Sequence, residues 1–141
     1  MVGMTHVVRR AFIDASREHG LTPVQSELLC VLISGRTRMS ELGHILDIEK
    51  SSLSGLVDRA ERRGLVKRAQ HPEDRRCYQV ELTPGGARIA LACHEDVTRR
   101  LEAMAHELPA PDRRCLASGM AQLLATHEAE RLRANDVRHH R

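Results

Sequence analysis

Between Arg59 and Arg76 the chain places seven bases (Arg59, Arg62, Arg63, Lys67, Arg68, Arg75 and Arg76) against three acids (Glu61, Glu73 and Asp74). That local balance of +4 exceeds the +3 carried by the whole 141-residue chain. A basic surface of this density attracts phosphate-bearing partners. Just ahead of it stand Lys50 and three small hydroxyls, Ser51, Ser52 and Ser54. Serine can donate to phosphates and base edges without blocking a groove. The chemistry on offer is therefore recognition of a polyanion, with double-stranded DNA the expected partner. Other chemistries lack their residues. Cys30, Cys77, Cys93 and Cys115 show no CxxC spacing, and the nine histidines show neither HxxxH nor HExxH. There is no GxSxG, and Gly85-Gly86 lacks the flanks of a phosphate-binding loop. We expect no enzyme activity, no cofactor and no metal.

The elements that must position these residues are legible from their punctuation. In "LTPVQSELLCVLIS", Thr22 can cap a helix, Pro23 sits at its first position and Gln25 completes a capping box. Gly20 closes an earlier helix of roughly residues 4–19, whose stripe is Val7, Val8, Ala11, Phe12 and Ala15. "MSELGHIL" predicts a short helix, and "KSSLSGLVDRAERRG" a second with Leu53, Leu56, Val57 and Ala60 inward. Asp47 falls at the turn between them, where a left-handed backbone is expected, and Gly43 allows the two helices to approach closely. Two short helices joined by a tight turn outline a helix-turn-helix. "LVKRAQ" and "CYQVEL" then read as two strands, with Tyr78, Val80 and Leu82 alternating along the second. Thr83-Pro84 opens a long helix to about residue 107, "LPAP" breaks it, and a last helix runs over about 112–134 before a frayed tail.

This order predicts a mostly α fold with a small β-hairpin, a winged helix-turn-helix. Phe12 and Tyr78 are the only aromatics, so the core must be aliphatic. Residues 21–83 form the expected DNA-binding lobe. Residues 1–20 and 84–141 form a helical dimerisation region, because their apolar stripes exceed what one short chain can bury, and a second copy related by a two-fold axis is the simplest cover. No apolar run is long enough to span a membrane and no signal-peptide core opens the chain, so a cytoplasmic protein with free thiols is expected.

The recognition helix is expected to present Lys50, Ser51, Ser52, Ser54, Arg59 and Arg62. Arg38, Ser40 and Lys67 are expected to support it on the DNA backbone. The hairpin that follows is a wing with Asp74, Arg75 and Arg76 at its tip. An arginine there suits the enhanced negative potential of a narrow minor groove, and Asp74 can orient Arg76 by pairing.

The segments "LTPVQSELLCVL", "MSELGHILDIEKSSLSGLVDRAERRGLVKR" and "PEDRRCYQVELTPGG" resemble the MarR family of bacterial transcription regulators. The resemblance is close over about residues 20–90 and covers the whole chain in helix order. It implies a homodimer, joined through the N- and C-terminal helices, that binds a palindromic operator. It places the recognition helix at about 50–63 and the wing pair at Asp74 and Arg76. Gly55 departs from the larger, often basic residue common in the family. The resemblance further implies a repressor released by a small-molecule ligand, bound in a cleft lined by Phe12, Ala15, His19, Leu28, Ile89 and Cys93. The alternatives are a winged-helix module for protein interaction without DNA, and a redox-responsive regulator using a cysteine.

Overall fold

The computed structural model describes residues 2–70 and 78–139. It divides into two compact units, Met1–Leu101 and Glu102–Arg141.

The first unit opens with α1 (Val2–Glu18) and α2 (Pro23–Leu32). The Thr22 hydroxyl accepts from the Gln25 amide at 3.3 Å, and the Gln25 side chain accepts from the Thr22 amide at 3.1 Å. This reciprocal pair satisfies two of the donors a helix start leaves open. Thr22→Ala should therefore destabilise the unit by about 1 kcal/mol, read as a shift in denaturant midpoint at constant slope.

Next come a two-residue strand β1 (Thr37–Arg38), then α3 (Met39–Leu46) and α4 (Lys50–Arg62). Asp47 ends α3 in the left-handed region at φ 53°, ψ 47°, and the Ile48 amide turns back to the Gly43 carbonyl at 3.0 Å. A Cβ at Gly43 would lie 3.3 Å from the Ile48 carbonyl oxygen, so the tight turn depends on glycine there. Strands β2 (Val66–Gln70) and β3 (Tyr78–Leu82) pair antiparallel, with Val66 opposite Leu82 and Gln70 opposite Tyr78. β1 was too short to leave a period-2 signal in the sequence. It adds to the free side of β3, Thr37 opposite Val80, giving sheet order β1-β3-β2. Of the three alternating residues read on β3, Val80 is fully buried, Leu82 is half-buried and Tyr78 is exposed. Tyr78 stands at the end of the ladder, beyond the helices that cover Val80.

The helix α5 (Pro84–Ala105) starts on the sheet. The Thr83 hydroxyl accepts from the Gly86 amide at 2.9 Å, and the Thr83 amide donates to the Leu65 carbonyl at 3.1 Å. One aliphatic core joins all these elements: Ala15 from α1, Leu28 and Leu29 from α2, Leu42 from α3, Leu53, Leu56, Val57 and Ala60 from α4, Val66 and Val80 from the sheet, and Ala90 and Cys93 from α5.

In the second unit the Arg113 guanidinium donates to the His106 and Leu108 carbonyls, both at 3.3 Å, fastening the turn into α6 (Ala110–His139). This helix runs past the expected end at 134. Residues 125–134, ATHEAERLRA, are rich in the good helix formers Ala, Glu and Arg; nothing in the composition of 135–139 explains the extension. Leu116, Met120 and Leu123 recur on one side of it and stay exposed, Leu123 to 72%.

Candidate nucleic-acid interface

The inward stripe of α4 fixes which residues face out. Leu53, Leu56, Val57 and Ala60 are at most 2% exposed, so the helix cannot rotate without breaking the core. Lys50, Ser51, Ser52, Arg59 and Arg62 are consequently exposed, and Ser54 is half-buried. Glu49 precedes the helix without a side-chain cap. The amide donors of the first turn thus receive no side-chain cap from Glu49.

The outward residues fall into two strips. Ser52, Gly55, Arg59 and Arg62 follow the 3-4 spacing of one strip. The Arg59 guanidinium lies 3.2 Å from the place a Cβ on residue 55 would take, so the glycine gives this arginine room along the helix. Arg59 and Arg62 make no ion pair among the described residues. Ser54, Asp58 and Glu61 form the second strip, turned toward β2. There Arg68 reaches Asp58 at 2.6 Å and Glu61 at 2.7 Å.

The basic cluster seen in the sequence therefore separates into bases with internal partners and bases without. Arg63 donates to the Gln25 side chain at 2.9 Å and to the Gly20 carbonyl at 2.8 Å, joining the end of α4 to the start of α2. Lys67 pairs with Glu81 across the hairpin at 2.9 Å, and Arg36 also reaches Glu81 at 3.4 Å. The hydrogen bond from Lys67 is the main cause that holds the Glu81 carboxyl below its ordinary range. Arg38 and Ser40 are exposed at the start of α3, Arg38 in β1 and Ser40 in the first helical turn. Asp74, Arg75 and Arg76, the expected wing tip, lie outside the described residues.

Of the residues expected to line a ligand cleft, four belong to the packed core that α1, α2 and α5 share. Ala15, Leu28 and Cys93 are buried in the common core, with Ile89 packed against it. Phe12 and His19 are half-buried. A buried acid that was not foreseen sits beside them. Asp96, 5% exposed, faces His19 at 3.8 Å, and both Arg99 and Arg100 bond to its carboxylate. Arg100 also pairs with Glu18 at 2.6 Å, tying α5 to α1. The signal was available: Asp96 lies three residues after Cys93 on the inward side of α5, between Cys93 and Val97.

The Cys93 thiol approaches the Ser26 hydroxyl at 3.8 Å. Burial first, then Cys93 and Glu27, push the Cys30 thiol above its ordinary value. A peroxide-reactive cysteine needs the opposite shift. No group of three or more metal-ligating side chains occurs among the described residues. Nor is any helix of the described residues long and apolar enough to cross a membrane.

Comparison with known proteins agrees with this geometry. Residues 19–76 match the model of the MarR family. The multiple antibiotic resistance protein MarR of Salmonella typhimurium is 33% identical over 76 residues, 53% of this chain and 53% of that protein. The match thus spans about half the length of that relative. The solved structure of wild-type Escherichia coli MarR in its apo form superposes with a TM-score of 0.74 at 25% identity, covering 88% of this chain and 96% of that one. A mutant of the same protein complexed with operator DNA gives a TM-score of 0.64 at 26% identity, covering 86% and 91%.

Proposed function

Because this chain is similar to the MarR family in sequence over residues 19–76 and shares the fold of MarR over most of its length, we propose that it is a dimeric, sequence-specific DNA-binding transcription regulator. One observation carries the reading. The buried stripe of α4 forces an uncapped helix start, small hydroxyls and two arginines without ion-pair partners among the described residues onto a single exposed face. That face suits the major groove. Lys50, Ser51 and Ser52 approach first and Arg59 and Arg62 lie further along, while Ser54 meets the groove from the side of β2. Arg38 and Ser40 at the start of α3 meet the backbone, and Lys67 does so by exchanging its partner Glu81 for a phosphate. Asp74, Arg75 and Arg76 hold the adjoining minor groove.

The second copy is recruited through α1, the end of α5 and α6. Leu116, Met120 and Leu123 supply an apolar stripe that its own unit leaves exposed. Two lobes related by a two-fold axis would enter major grooves roughly 34 Å apart, which requires a palindromic operator. A small ligand between α1, α2 and α5 would act as an inducer by binding the DNA-incompetent spacing more tightly, and only that difference in affinity can shift the balance. The chain then works as a repressor in the cytoplasm, without catalysis. The raised pKa and partial burial of Cys30 weigh against that thiol as the reactive one in the redox alternative.

The test is DNA affinity against salt, comparing the duplex upstream of the protein's own coding region with a scrambled duplex. The expected result is a clear preference for the first, with log affinity falling steeply as log salt rises. Equal, weak binding to both would overturn the reading in favour of a protein-interaction module.

A further inference from the structure

Arg68 stands on β2, at the foot of the hairpin, and points back at α4. Among the described residues it is the only base of the cluster that touches two carboxylates of α4. Its guanidinium forks between Asp58 at 2.6 Å and Glu61 at 2.7 Å, and it also reaches the Ser54 carbonyl at 3.5 Å. The other Glu61 oxygen accepts from the Arg68 amide at 3.1 Å. Backbone and side chain of one strand residue are thus both held by one helix. Burial opposes the charge of Arg68, yet the hydrogen bond and charge of Asp58, then those of Glu61, hold its pKa above the ordinary arginine value.

The placement of the two acids gives the contact its meaning. Asp58 and Glu61 alternate along α4 with Arg59 and Arg62. Asp58 is half exposed, so an uncompensated carboxylate there would look toward the same phosphates that the arginines attract. A like-charge approach of that kind weakens association even when no contact is lost.

Resting on the DNA-binding reading above, we propose that Arg68 is a positioning residue for DNA binding: it cancels Asp58 and Glu61 on the recognition helix and locks β2 to that helix, without itself touching DNA. A phosphate contact and a cancelling charge differ in one respect. The effect of removing a phosphate contact does not depend on Asp58 and Glu61. The effect of removing a cancelling charge vanishes once those acids are neutral.

The experiment is a mutant cycle on the full chain, with affinity for the upstream duplex measured at fixed salt. Arg68→Ala should weaken binding by about tenfold in the natural background. In the Asp58→Asn/Glu61→Gln background, which should itself bind at least as well as the natural protein, Arg68→Ala should change affinity by less than about twofold. Equal losses in the two backgrounds would overturn the proposal and make Arg68 a phosphate contact. No loss in either would overturn it outright. If Arg68→Ala does not fold, Arg68→Lys gives the same comparison. A single ammonium cannot fork as a guanidinium does, so a smaller loss is expected that again disappears in the neutral background. Failure of both backgrounds to bind the duplex at any salt would overturn the DNA reading, and this role with it. Binding by both that ignores Arg68 would overturn this role alone.

Discussion

Gly86→Ala is expected to lower the melting temperature of the first unit by 10 °C or more, and Gly86→Val to prevent folding. A Cβ at this position would sit 1.7 Å from the Leu65 carbonyl oxygen and 2.6 Å from its carbon. Both atoms are backbone, so no side chain can swing aside. The carbonyl is also committed, because it accepts from the Thr83 amide at 3.1 Å. Relief would require lifting α5 off the start of β2, and that would uncover Ala90 and Cys93 in the core. Overpacking in a closed site costs roughly 3 kcal/mol. In a unit of this size each kcal/mol is worth about 4–8 °C. The neighbouring glycine is the control. A Cβ at Gly85 would find its nearest atom, the Thr83 hydroxyl, at 3.7 Å, an ordinary contact. Gly85→Ala should be neutral or stabilising by up to about 1 kcal/mol through the unfolded chain. Thermal unfolding followed by circular dichroism separates the two. Equal melting of Gly86→Ala and Gly85→Ala would mean that α5 does not rest on Leu65 as described.

The second large effect concerns DNA. Arg59→Glu with Arg62→Glu should weaken binding to the upstream duplex by about a thousandfold or more at moderate salt, since two attractive charges become repulsive at the groove. Stability should hardly change, because both side chains are exposed and neither makes an ion pair among the described residues. Arg63→Ala should show the reverse. Its guanidinium is occupied by Gln25 and Gly20, so its loss should loosen the start of α2 and leave the salt slope of DNA binding nearly intact. A salt titration of each variant, beside its melting curve, checks both statements. Retained affinity in the Arg59/Arg62 variant would show that the wrong face of α4 has been assigned to DNA.

That three neighbouring arginines divide in this way explains what could and could not be read from the chain. Periodicity and caps are local, so they were visible: the capping box at Thr22 and Gln25, the left-handed Asp47, and the buried stripe Leu53, Leu56, Val57 and Ala60 all follow from spacings of a few residues. Charge partners are not local. Arg63 meets Gln25 38 positions away, and Arg68 meets Asp58 across the corner between helix and strand. Counting bases treats Arg59, Arg62, Arg63, Lys67 and Arg68 alike, although Arg63, Lys67 and Arg68 hold the lobe together. Asp96 was overlooked for a related reason. A carboxylate on an inward stripe reads as a break in the pattern until the arginines that neutralise it are placed. The candidate helix face was thus legible, while the assignment of its charges required tertiary structure.

The short stretch from Arg63 to Leu65 has a consequence for how the lobe folds. Within three residues it binds the chain ending α1, the first turn of α2, and the chain entering α5. A fragment cut to residues 21–83 would keep every helix-turn-helix element and lose Gly20, Gly86, Ala15, Ala90 and Cys93, the partners that close this junction and its core. The segment 21–83 therefore shares its core with the elements on either side of it, α1 and the first turns of α5. A fragment of residues 21–83 is expected to unfold at a lower temperature than the full chain.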